Sequence, residues 1–221
     1  MSSTGSQAPR LSIIIPAYNE AARIASVLST VFESNLADEV IVVDDGSSDN
    51  TAAVAERAGA RVLRQQQNRG KARAMLTGLE NSSGECIAFL DADLLNVTAH
   101  HLADLLTPVL RGETQATLGV FRGGRVPTAL GQRIAPTMSG QRCLQRELLS
   151  GFDGWGSGFG IETAINAHLR RSGVELRVVD WHGAAQVMKE EKRGVLRGLW
   201  ARLKMYWEMF VVWLAIGWHR R

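Results

Sequence analysis

Asp91-Ala92-Asp93 sets two carboxylates one residue apart at the end of the apolar run Cys86-Ile87-Ala88-Phe89-Leu90. An apolar strand that ends in two acids aims both at its C-terminal edge, where open α/β sheets bind ligands. Such acids can hold a divalent cation through hard oxygen ligands, and the cation can hold a diphosphate. Asp-x-Asp alone is a common pair, so its meaning depends on its company. Three more polar clusters accompany it: Pro16 to Glu20, Asp44-Asp45-Gly46-Ser47 and Asn68-Arg69-Gly70-Lys71. Singly, each reads as a turn, a cap or a helix start. Gathered at one edge, they describe a nucleotide-diphosphate site. Asp45 can accept from a base N–H or a ribose hydroxyl, Lys71 can reach a phosphate or a base carbonyl, and Asp93 can take the metal.

The elements that would position these groups alternate. Leu11 to Ile15 is a β-branched run closed by Pro16, read as a buried strand. Asn19-Glu20-Ala21-Ala22 opens a helix with Asn19 as a cap, and Ile24, Val27, Leu28 and Val31 keep helical spacing. Glu39 to Val43 is a second strand. Ser48 or Asp49 caps a helix through Ala58, which Gly59 ends. Ala60 to Leu63 is a third strand, a helix runs from Lys71 to about Leu79, and the fourth strand delivers Asp91 and Asp93. Strand–helix alternation of this kind predicts an α/β fold with a doubly wound, mostly parallel sheet and helices on both faces.

The rest is less regular. Leu102 to Leu110 reads as helix and Ala116 to Phe121 as strand; Arg122 to Arg133 is a Gly- and Arg-rich loop. Cys143 to Leu149 reads as helix, and the glycine-rich stretch Gly151 to Gly160 as irregular. Ile161 to Leu169 is a helix and Glu175 to Val179 a strand. From Gly194 to Trp218 one amphipathic C-terminal helix is expected, with Leu196, Leu199, Trp200, Leu203, Tyr206, Trp207, Phe210, Val211 and Leu214 on one stripe. Its last part is too short to span a bilayer. A Trp-rich apolar face beside Arg193, Arg197, Arg202 and Lys204 suits an anionic membrane surface. The alternative is packing on the domain or on a second subunit, as in a homodimer. The division expected is a disordered tail over 1–10, a domain over 11–193 whose halves meet at 121/122, and the helix over 194–221.

At 221 residues the chain fits one domain with an appended element. From Lys189 onward eight Lys/Arg stand against three Asp/Glu, a local +5, and the other 17 against 19 leave −2. The basic charge therefore belongs to the tail, and the body does not suggest nucleic-acid binding. Cys86 and Cys143 read as reduced thiols of a cytoplasmic protein. No apolar segment near Met1 reads as a secretory signal.

Ile13 to Glu20, Val42 to Asp49, Asn68-Arg69-Gly70-Lys71 and Asp91-Ala92-Asp93 resemble, in order, the motifs of family 2 glycosyltransferases with the GT-A fold. Ser139-Gly140-Gln141-Arg142, Arg146 to Leu149 and Gly158 to Glu162 resemble a subset related to glucosyl-3-phosphoglycerate synthase and polyprenyl-phosphate sugar transferases. The resemblance implies that Pro16, Ala17, Tyr18, Glu20, Asp44, Asp45, Lys71, Asp91 and Ala92 line a UDP- or GDP-sugar site. It implies that Asp93 holds Mg²⁺ or Mn²⁺, and that Glu162 faces the sugar or acceptor with Arg142 and Gly158. One departure stands out. Such relatives carry a metal-binding His near the place where this chain reads Gln186-Val187-Met188-Lys189, and a thioether is a poor ligand for a hard cation. His182, a few residues upstream, is the substitute candidate.

If the acceptor is a hydroxyl, an inverting transfer needs a base, and Asp153 or Glu162 are the candidates beside Asp91 and Asp93. A lipid phosphate is already ionised and needs none. The leading expectation is thus a metal-dependent glycosyltransferase at the inner face of the plasma membrane, acting on a polyprenyl-phosphate or other envelope acceptor. Two others stay open: a soluble transferase making a small product such as a glucosylglycerate, and a non-catalytic nucleotide-sugar-binding protein.

Overall fold

The computed structural model describes residues 9–122, 139–156 and 160–186. The expected loop from Arg122 to Arg133 (beyond Arg122 itself), Gly158, Met188 and the helix from Gly194 lie outside the described residues.

Strand β1 (Leu11–Ala17) shows why both faces must be covered. Leu11, Ile13 and Ile15 pack on one side and Ile14 on the other, all fully buried. Such a strand belongs in the middle of a parallel sheet sandwiched by helices. Helices α1 (Ile24–Glu33), α2 (Thr51–Arg57) and α4 (Ala99–Leu110) cover the first face, α1 through the expected stripe Ile24, Val27, Leu28 and Val31. Helices α3 (Lys71–Glu80) and α5 (Ile161–Arg171) cover the second, where Ile14, Val43, Ile87 and Phe89 meet Met75 and Ile165.

The other strands are β2 (Glu39–Asp44), β3 (Arg61–Arg64), β4 (Cys86–Phe89), β5 (Leu94–Leu95), β6 (Ala116–Arg122), β7 (Arg142–Gln145), β8 (Arg177–His182) and β9 (Ala185–Gln186). Seven form one sheet in the order β3-β2-β1-β4-β7-β6-β8, and β5 pairs with β9. β7 runs antiparallel to both β4 and β6, and the remaining pairings of the large sheet are parallel.

Two local expectations are corrected. Cys143 to Leu149 is not a helix: Arg142–Gln145 is strand β7, and a single 3-10 turn follows at Arg146–Leu149. Inserted between β4 and β6, the segment exchanges backbone hydrogen bonds with both neighbours, which outweighs the propensity of Leu-, Glu- and Arg-rich residues for helix. The first helix does not open at Asn19. Asn19 has φ +56, and its carboxamide oxygen accepts from the Ser48 N–H at 2.8 Å. The Glu20 and Ala21 N–H groups donate to Thr51 Oγ1 and Asp49 Oδ2, so regular helix starts only at Ile24. Asp49 does serve the start of α2, accepting the Thr51 N–H at 2.9 Å.

Candidate active site

Parallel strands β1, β2 and β4 end at one edge, and the loops that leave them are stitched together. Asp45 N–H donates to the Ala17 carbonyl at 2.8 Å, and Asn19 N–H donates to Ser47 Oγ at 2.9 Å. The Asp45 carboxylate takes the N–H groups of Arg69 and Gly70, both at 2.8 Å, fixing the loop into α3 above the end of β2. Gly46 is required where the two loops cross: its φ is +71, and a Cβ there would lie 2.6 Å from the Gln67 backbone. Burial pushes the Asp45 carboxyl above the ordinary aspartate range despite those two N–H bonds. Pro16 and Ala17 end β1 beneath this junction, Tyr18 is exposed beside it, and Asp44 accepts the Ser47 N–H.

Asp91 is buried at the end of β4, where Lys71 Nζ lies 2.5 Å from its Oδ1. The same ammonium lies 2.6 Å from Glu162 Oε1 in the first turn of α5. Lys71, expected at the nucleotide, is thus held between two acids from different elements. Burial opposes both charges in this pair. The two carboxylates nevertheless hold the lysine above its usual range, and Lys71, with hydrogen bonds from Lys71 and Gln141, holds Asp91 below the usual carboxylate range.

Sequence reading assigned no individual role to Gln141, Gly140, Asn166 or Gln186, and the structure brings all four into or beside the site. Gln141 is fully buried; its side-chain oxygen accepts the Asp91 N–H at 3.0 Å and its nitrogen donates to Asp91 Oδ2 at 2.7 Å. Because β7 is antiparallel, it begins where β4 ends, with Arg142 opposite Phe89, so the residues just before it arrive at the ligand edge. A Cβ on Gly140 would stand 2.6 Å from Asp91 Oδ2 and 2.7 Å from Lys71 Nζ. Arg142 is 1% exposed and donates to the carbonyls of Ser139 and Glu162 and to Asn166 Oδ1. Burial pulls its guanidinium down to about 10, with Glu162 and Asp91 opposing. Its contacts make it a support for Glu162 and the Ser139 loop. The signal available for Gln141 and Gly140 was their position within the Ser139 to Arg142 motif.

Asp93 is buried, and Gln186 Nε2 lies 2.9 Å from both Asp93 Oδ1 and Asp91 Oδ2. His182 is exposed at the end of β8, paired through its backbone with Arg122, and it is Gln186 that meets the two acids. Asp153 is also exposed, and among the described residues no hydrogen bond or ion pair joins it to Lys71 or Glu162. Ala92, between the two acids, is buried in the core. Among the described residues no group of three or more His, Cys, Asp or Glu is placed to hold a metal ion. The Asp91–Asp93 pair does fit a hard cation, since two buried carboxylates turn toward one shared donor. A cavity of about 380 Å³ against the first turn of α3 is lined by Arg69, Gly70, Ala72, Arg73, Trp155 and Gly156.

The chain is similar in sequence and fold to known proteins. Glucosyl-3-phosphoglycerate synthase of Mycobacterium tuberculosis is 30% identical over 192 residues, 70% of this chain and 59% of that protein. The chain thus spans less than two thirds of the length of that curated relative. Undecaprenyl-phosphate 4-deoxy-4-formamido-L-arabinose transferase of Pseudomonas aeruginosa is 41% identical over 96 residues, 39% of this chain and 28% of that protein. A crystal structure of the mycobacterial synthase with Mn²⁺, UDP and glucosyl-3-phosphoglycerate superimposes with a TM-score of 0.68 at 30% identity, covering 88% of this chain and 80% of that one. A further structure of it, with Mg²⁺ and UDP, has the same TM-score of 0.68. Residues 12–170 match Glycosyl transferase family 2, and with the GT-A sheet and its acid-lined edge in place, the chain belongs to that family.

Proposed function

We propose that this protein is a metal-dependent glycosyltransferase that moves a sugar from a UDP-sugar to a phosphate-bearing acceptor. The observation that carries the reading is the cluster at the sheet edge: Asp91 and Asp93 turned toward one point, with Lys71 locked between Asp91 and Glu162. Donor and metal are supported by the synthase, whose structures contain UDP with Mn²⁺ or Mg²⁺. Asp93, with Asp91 beside it, would hold the cation, which supplies Lewis-acid neutralisation of charge on the leaving diphosphate. Asp45, Pro16, Tyr18 and Glu20 would hold the nucleoside, Asp45 accepting an N–H or hydroxyl. Lys71 keeps a fixed positive charge near the diphosphate and orients Asp91 and Glu162 without reorganising during the reaction. Glu162, held by Lys71 and backed by Arg142, faces the transferred sugar or the acceptor.

The phosphate-bearing acceptor is the chemistry that the two relatives share, phosphoglyceric acid in one and undecaprenyl phosphate in the other. In this chain the cavity beside α3 supports it: Arg69 and Arg73 line it, and among the described residues neither forms an ion pair, although Asp45 feels the Arg69 charge. Guanidinium groups match phosphate oxygens in pairs. The test is transfer from UDP- and GDP-sugars with Mn²⁺ to phosphoglyceric acid or to a polyprenyl phosphate. Transfer to either is expected, with Asp93→Ala at least about 100-fold slower. Absence of both transfer and donor hydrolysis, or an Asp93→Ala variant equal to wild type, overturns the proposal. UDP binding without turnover favours the nucleotide-sugar-binding protein instead.

A further inference from the structure

Gln186 lies 95 residues beyond Asp91, and the backbone brings it back. Strand β9 pairs antiparallel with β5, Gln186 opposite Leu94, so the side chain starts one residue from Asp93. From there its amide nitrogen donates to Asp91 Oδ2 and Asp93 Oδ1, each at 2.9 Å. A carboxamide nitrogen carries two hydrogens, one for each acid. Asp91 already has the Lys71 ammonium and the Gln141 amide, yet its Oδ2 and Oδ1 of Asp93 converge on the Gln186 nitrogen, a neutral donor that adds no positive charge between them. The amide nitrogen therefore occupies the place where a cation would gain most.

The other end of the same group is a carbonyl oxygen, a hard neutral donor of the kind that Mg²⁺ and Mn²⁺ accept. A half-turn about the last side-chain bond exchanges nitrogen for oxygen without moving the backbone. We infer that Gln186 is a positioning residue and neutral ligand of the cation site: its N–H groups hold Asp91 and Asp93 in register before the cation binds, and its oxygen turns to the cation afterwards. This inference rests on the proposal that Asp93 holds a cation. It gives the cation a third protein ligand beside Asp91 and Asp93.

The experiment is a Mn²⁺ titration of the full chain with UDP present, followed by the electron paramagnetic resonance signal of free Mn²⁺. Gln186→Ala and Gln186→Asn, the latter one methylene too short to bridge both acids, are expected to bind Mn²⁺ about 10- to 100-fold more weakly. Gln186→His should recover most of the affinity, and UDP binding without metal should stay within twofold in all three. Gln186 is exposed at the rim, so truncation leaves the core packing intact. Mn²⁺ affinity in both shortened variants within twofold of wild type overturns the inference. Asp93→Ala in the same titration separates the two proposals. If it alone abolishes binding, the cation reading stands and Gln186 falls; if wild type binds no Mn²⁺, both fall.

Discussion

Gly140 shows how little space the charged cluster leaves. A methyl group there would stand 2.6 Å from Asp91 Oδ2 and 2.7 Å from Lys71 Nζ, so Gly140→Ala must push the ion pair apart. Expected outcomes are a fall in kcat of at least about tenfold and a stability loss of roughly 1–3 kcal/mol, as for other overpacked sites, read by urea unfolding. Lys71 is a harsher case. Removing it leaves the carboxylates of Asp91 and Glu162 facing each other with no cation between them. Lys71→Ala should cost about 3 kcal/mol, the figure for breaking a buried pair from one side. Lys71→Arg should rescue charge but not activity, because a planar fork cannot take the place of a point-like ammonium between two acids. An activity of Lys71→Ala near wild type, in a folded protein, would remove Lys71 from the site.

Among elements, the far edge of the sheet has its own fastening. The Glu39 carboxylate, at the start of β2, accepts from Ser12 Oγ at 2.7 Å, Ser83 N–H at 3.0 Å and Arg61 at 3.1 Å. One side chain thereby ties β1, β3 and the turn before β4 to β2. Burial pushes this carboxyl up, but the three donors prevail and hold it below its ordinary value of 4.5. A depressed acid stabilises the fold above its unfolded value and loses that contribution as pH falls through the folded one. Wild type should therefore exceed Glu39→Gln in stability by about 1–2 kcal/mol at pH 7, and the gap should close below about pH 4. Melting both proteins at pH 7, 5 and 3 checks this; a gap independent of pH would mean that the carboxylate charge contributes nothing.

At the scale of the molecule, the sheet order decides which segments meet at the candidate site. Strands β1, β2, β4, β6 and β8 all end at the ligand edge, and β7 begins there, so under the proposed function the acceptor would be met by β7, α5 and the segments around them. Among the described residues no helix is long and apolar enough to cross a membrane. Membrane contact, if the acceptor is a lipid phosphate, we propose for the Trp-rich stretch from Gly194, which lies outside the described residues. Flotation with vesicles containing anionic lipid should carry the full chain upward and leave a chain ending before Gly194 at the bottom. Equal behaviour of the two would favour the small phosphorylated acceptor.

The first half was legible because its information is local. Each strand, turn and helix there occupies consecutive residues, short connections force parallel neighbours, and a loop at every strand end falls at the same edge. From that, Asp45, Lys71, Asp91 and Asp93 are expected at one edge, where Asp45 holds the loop into α3, Lys71 meets Asp91, and Gln186 joins Asp91 to Asp93. Their partners were not legible. Whether Lys71 meets a ligand or two carboxylates depends on α5, which is 91 residues from it at Glu162. Whether Cys143 sits in helix or strand depends on the free hydrogen-bonding edges of β4 and β6, which local propensity does not register. The opening pair, Asp91 and Asp93, marks the boundary. Apolar run and spacing put two acids at a strand end, but the antiparallel strands β7 and β9 decided that Gln141 and Gln186 close around them. Pairing between distant strands is set by the register of backbone hydrogen bonds, a property of two segments at once that neither carries alone.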